Sequence, residues 1–128
     1  MNDTDAIRNT FARYCQALDE RRFEDWTRVF TPDGQFNDHI GRQAIMDYIN
    51  GAALAKNPAL KRKHAHLNIA INRIGEAEAE SESDFVMFDK NGDGPWVLAG
   101  VGKYADLLVR QPDGEWLIKK RIITHPIK

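Results

Sequence analysis

A chain of 128 residues, 42% hydrophobic and 29% charged, suits one globular domain spanning 1–128 with enough apolar mass for its own core. A formal net charge of −1 leaves no electrostatic case for nucleic acid as a partner. The single cysteine, Cys15, excludes an internal disulfide, and the opening MNDTDAIRNTF lacks an apolar signal region, so a cytoplasmic address away from any membrane is expected.

In chain order, Ile7, Phe11, Tyr14, Cys15 and Leu18 recur at helical spacing, which makes DAIRNTFARYCQALDE an amphipathic helix behind acidic capping residues. RFEDWTRVF repeats the pattern through Phe23, Trp26, Val29 and Phe30, and TPDG is expected to end it. QFNDHI is a short strand candidate, and GRQAIMDYINGAALAKN reads as a third helix stopped near Pro58. The period then changes to alternation, with strand cores expected at 64–74, 77–88, 96–109 and 115–123 and a hairpin turn at QPDGEW. Helices first and antiparallel strands afterwards is an α+β chain, with helices covering one face of a curved sheet.

Two acidic stretches are better explained by structure than by metal. Glu76, Glu78, Glu80 and Glu82 alternate with small residues, as on a solvent face that discourages edge pairing. DKNGDG, residues 89–94, opens like a calcium loop, but such a loop needs a bidentate Glu at its twelfth position, where this chain has Gly100. It reads instead as a hairpin turn.

The stretch LKRKHAHLN, residues 60–68, carries the chemistry. Strand geometry puts His64, His66 and Asn68 on one face, and Leu67, Ile69 and Ile71 on the other. A polar face of this kind meets water or lines a polar cavity. The opposite apolar row is expected to pack in a sheet-to-sheet homodimer.

Tyr14 with Asp19, His64 with Asn68, and Trp116 with Arg121 stand at spacings that resemble those of the SnoaL-like branch of the NTF2-like superfamily. The resemblance runs through YCQALDERRFEDWTRVFTPDGQF, GRQAI, HAHLN, GVGKYADLLVR and GEWLIKKRII. It extends to the sites of bile-acid 7α-dehydratase, scytalone dehydratase and hexachlorocyclohexane dehydrochlorinase. The fold this implies is a cone: three N-terminal helices packed over a curved, mostly antiparallel sheet, open at one end to a small apolar or polycyclic ligand. The activity it implies is a lyase of the dehydratase type with no cofactor and no metal. By this resemblance His64 is the base, Asp19 its orienting carboxylate, and Tyr14 and Arg121 the polarising groups. Asn68, Trp26 and His66 are assigned to substrate binding. His66 is a second imidazole two residues on, and His64 is favoured as base because Asn68, Ile69 and Ile71 then keep the family's register. Proton transfer within the substrate and a noncatalytic binding or assembly role are the alternatives on the same scaffold.

Overall fold

The computed structural model describes residues 1–125. Helix α1 (Asp3–Asp19) carries Ile7, Phe11, Tyr14 and Leu18 on its buried stripe. Its cap is Asn2 rather than an acidic residue: the Asn2 side chain accepts from the Asp5 N–H at 2.8 Å. Asp3 and Asp5 fall in the first turn, where they favour the positive end of the helix dipole.

Helix α2 (Phe23–Thr27) is a short stub, and the chain is already extended at Phe30. The TPDG that was expected to terminate a helix lies inside strand β1 (Phe30–Phe36). There the pairing to the neighbouring strand slips between Phe30 and Gln35, so Pro32, which has no N–H to give, sits in the irregular stretch. Gly34 completes that bend, because a Cβ there would lie 2.8 Å from the Phe30 Cβ. A turn at Asn37 leads to strand β2 (His39–Ile40). The expected third helix is two: α3 (Arg42–Asn50) and α4 (Ala53–Lys56), parted at Gly51.

The rest is sheet: β3 (Leu60–Ile74), β4 (Glu78–Asn91), β5 (Val97–Arg110) and β6 (Trp116–Thr124). The strand order is β2-β1-β6-β5-β4-β3, with β1 and β6 parallel and the other pairs antiparallel. The residues DKNGDG run from the last three positions of β4 into the turn before β5, and Glu78, Glu80 and Glu82 are exposed while Ala79, Ser81 and Ser83 are buried. Helices lie against one face of this curved sheet, and Ile7, Phe11, Trp26, Ile45, Phe85, Leu108 and Ile118 form the core between them. Among the described residues, no helix is long and apolar enough to cross a membrane.

Strand β3 departs from simple alternation. Its pairing with β4 slips between Leu67 and Ala70, and Asn68 takes φ 53°, the left-handed region that an Asn tolerates better than most residues. The bulge reverses the faces downstream. Ile69 and Ile71 therefore turn inward and pack against the core, while Leu67 stays outside at 37% exposure. The apolar row expected on the outer face does not exist as such, because one extra residue moves the side chains after it across the sheet, until a second slip between Ile71 and Arg73.

Candidate functional site

Asp19 ends α1, where a carboxylate faces the negative end of the helix dipole and gains nothing from it. What holds it is His64 on β3. The imidazole Nδ1 lies 2.5 Å from Asp19 Oδ1, and the His64 backbone N–H donates to Oδ2 at 2.9 Å. Both carboxylate oxygens are thus engaged by one residue, and the two side chains are 9% and 4% exposed. A carboxylate only accepts, so Nδ1 carries the hydrogen and Nε2 keeps its lone pair in the neutral ring.

His64 also lines a half-open cavity of about 190 Å³. Tyr14 and Trp26 line the same space, with Tyr48, Phe85 and Tyr104 supplying further aromatic wall. Phe85 and Tyr104 stack at 4.4 Å between centroids, an arrangement that depends on Gly102, since a Cβ there would fall 2.3 Å from the Phe85 ring. Burial pushes the Tyr14 hydroxyl up to about 12, against the opposing pull of the Arg121 charge, so it stays protonated as a donor.

Three other expected site residues are placed elsewhere. Arg121 does not reach the cavity. It is fully buried, and its Nε and Nη2 donate to Asp106 at 2.7 and 2.8 Å. Its guanidinium lies beneath aromatic rings, 3.7 Å from the Tyr104 centroid and 4.3 Å from that of Tyr14. Burial alone would work against the charge, but the Asp106 carboxylate outweighs it and keeps the guanidinium protonated.

Asn68 sits at the bulge and points outward, donating to Asp84 at 2.9 Å, so it is not a cavity residue. His66 shares the inner face with His64 but is one step further along the strand. Its Nε2 meets the Ser83 hydroxyl at 2.5 Å, its ring edges onto Phe11 and Tyr104, and it is absent from the cavity wall. Burial first, then the Arg121 and His64 charges, lower His66 to about 3, which keeps it neutral.

Several lining or supporting residues were not anticipated from the sequence. Asp106 was legible in principle, since alternation along β5 puts it between inward-facing Tyr104 and Leu108. Asn37, Arg62 and His125 join the wall, but each comes from a different element and carries no local signal. Among the described residues, no group of three His, Cys, Asp or Glu side chains is arranged to hold a metal ion.

Residues 1–122 match the family model described as a SnoaL-like domain. The chain is 26% identical to the anthranilate 1,2-dioxygenase small subunit of Burkholderia cepacia, over 87% of this chain and 80% of that one. A structure from Catenulispora acidiphila in complex with S-DNPA is 26% identical and superposes with a TM-score of 0.81, covering 95% of this chain and 92% of that one. A scytalone dehydratase-like protein from Novosphingobium aromaticivorans shares the fold at 23% identity and a TM-score of 0.80, covering 97% and 84% of the two chains.

Proposed function

The chain belongs to the SnoaL-like family, and from that premise we propose that it is a cofactor-independent lyase that eliminates water or halide from a small cyclic molecule. The observation that carries this reading is the Asp19–His64 contact at the wall of an aromatic cavity. In the proposed reaction His64 Nε2 takes a proton from a carbon next to an electron-withdrawing group. Asp19, holding Nδ1–H, fixes the tautomer and balances the imidazolium that forms. The C–H electron pair becomes the new double bond as the C–O bond breaks, and the imidazolium returns its proton to the departing hydroxide as water. With a halide, the leaving group departs as the anion and the proton is lost to solvent. Tyr14 donates to the oxygen on which negative charge develops. Arg121 acts through Tyr14 and Tyr104, as a fixed charge beneath their rings. The steps are proton transfers and the heterolytic loss of the leaving group, with no net oxidation or reduction, so the proposed reaction calls for no redox cofactor.

The likeness to a dioxygenase small subunit favours a second reading, an assembly or binding protein without turnover. The outer sheet face supports association in either case. Leu67, Phe88, Leu98 and Val101 are exposed at 37%, 38%, 62% and 45%, and we place a homodimer contact there. Hydroxylated and halogenated cyclic compounds, screened for release of water or halide, test the lyase reading. Turnover lost in His64→Ala is expected. Deuterium wash-in without elimination identifies an isomerase, and ligand binding without turnover, unaltered in His64→Ala, leaves the assembly reading.

A further inference from the structure

We infer that the cavity takes a cyclic molecule carrying a single carboxylate, with Arg62 as the residue that selects the acid group; this rests on the cavity being the substrate site, and not on the reaction that follows. Arg62 and His64 are alternate residues of β3, on the same side of the strand, and both line the cavity. Their Cα atoms are about 7 Å apart at the usual rise of a strand. One strand thus brings a permanent cation and the dyad imidazole to the same space.

Asp89 decides how the arginine is presented. It stands directly opposite Arg62 in the register of β3 and β4, and accepts from Nε at 2.8 Å and from Nη2 at 3.0 Å. This two-point contact fixes the plane of the guanidinium and occupies one of its edges. Nη1, at the opposite corner, has no partner among the described residues. Unlike the sealed Nη1 of Arg121, it keeps contact with open space, and the Arg62 side chain is 21% exposed. The Asp89 hydrogen bonds outweigh burial and raise Arg62 above its ordinary value, so it is charged wherever a carboxylate is ionised.

The rest of the wall shows which end of a ligand Arg62 meets. Tyr14, Trp26 and Tyr104 are buried, whereas Tyr48, which is near enough to Arg62 to act on its charge, is 40% exposed and marks the open side. Aromatic side chains inside favour a ring, and the cation at the rim favours an anionic oxygen that stays partly hydrated. Among the described lining residues there is no aspartate or glutamate to repel it. A ligand oxygen on Nη1 would touch the guanidinium directly, while Asp89 lies across the opposite edge, so the attraction exceeds the more distant repulsion. That same counter-charge suits the site to a monoanion rather than a phosphate dianion. An acid group held at the rim leaves the ring to reach inward to His64.

The test is isothermal titration calorimetry of the whole chain with 2-naphthoate, its neutral isostere 2-naphthamide and the cationic 2-naphthylmethylammonium, with nitrogen-15 NMR to locate each probe. 2-Naphthoate should bind about tenfold more tightly than 2-naphthamide, the worth of one charge-assisted hydrogen bond, and the ammonium should bind most weakly. It should shift the backbone amides of His64 and Phe85 and the side-chain resonances of Arg62. Arg62→Gln should abolish the preference, weakening 2-naphthoate about tenfold with 2-naphthamide little changed. Should the unpaired Asp89 disturb that variant, Arg62→Met with Asp89→Leu removes both partners and should show the same loss. The proposal is overturned if 2-naphthamide or the ammonium binds as tightly as 2-naphthoate, or if the preference survives loss of Arg62. It is equally overturned if the shifts fall at the exposed Lys61 and Lys63 instead, or if 2-naphthoate shows no saturable binding at millimolar concentration. No turnover is measured, so failure of the lyase reading with acid selection intact remains a separate outcome.

Discussion

Asp19 with His64 and Asp106 with Arg121 each set a carboxylate against a nitrogen-bearing side chain beside α1, yet their surroundings differ in kind. The first joins the end of a helix to β3, and its imidazole borders a cavity. The second joins two neighbouring strands within the sheet, has no exposed side-chain surface, and is covered by Phe11, Tyr14 and Tyr104. One pair contains an imidazole with a ring nitrogen left over. The other contains a guanidinium that never gives up its proton. A pair with a ring nitrogen left over at a cavity wall is the one on which the proposed chemistry rests. A sealed pair that cannot titrate serves as a scaffold, here for the two tyrosines above it.

The contrast is sharpest under substitution. Asp19→Asn keeps the shape but removes the charge that supports an imidazolium, and should lower kcat by up to about 10⁴-fold on any compound the chain turns over. The double change with His64→Ala should be barely worse than His64→Ala alone, since the two act as a unit. Steady-state kinetics with additive losses would break the distinction drawn here.

Asp106→Ala should act on stability instead. It leaves the Arg121 charge buried and unpaired, a loss of about 3–5 kcal/mol. Urea denaturation measures this, and replacing both partners together, Asp106→Leu with Arg121→Met, should recover most of it. A small loss in the single variant would mean that Arg121 finds water, contrary to its full burial.

Tyr14 stands between the two pairs, over Arg121 and on the cavity wall. Tyr14→Phe should cost about 10²–10³-fold in kcat, the usual worth of one stabilising donor, with little change in stability. Because burial pushes the Tyr14 hydroxyl up to about 12, wild-type rates should show no alkaline limb near its ordinary value of 10.0.

The smallest effect concerns His66, the imidazole that belongs to neither pair. Burial lowers it from 6.5 to about 3, so between those values the unfolded chain binds a proton that the folded one refuses. Its contribution to stability is therefore present above about 6.5 and declines as the pH falls toward about 3. Urea midpoints across this range should fall less steeply in His66→Gln than in the wild type. An unchanged slope would show that His66 is solvated rather than packed against Phe11 and Tyr104.

Much of the architecture was legible before any coordinates. The 3.6-residue recurrence of Ile7, Phe11, Tyr14 and Leu18, the alternation along β4 and β5, and the turns at DKNGDG and QPDGEW are properties of single segments. Such patterns depend only on which side of an element is apolar, so the chain displays them locally. What tertiary structure decided lies between segments. Alternation puts His64 and His66 on one face but cannot say which of them meets Asp19. That depends on where the end of α1 lies along β3, a distance set by the packing of the whole helix. The bulge at Asn68 was hidden for a similar reason. It is a mismatch in residue count between β3 and β4, and neither strand records it alone. TPDG carries the local marks of a helix stop and lies within β1 as its irregular stretch, because Phe30 before it and Gln35 and Phe36 after it pair with β6. Arg121 could be read from sequence as a cation entering a cavity. Only the register of β5 against β6, which sets Asp106 opposite Arg121, gave that charge its partner and closed it away from the ligand.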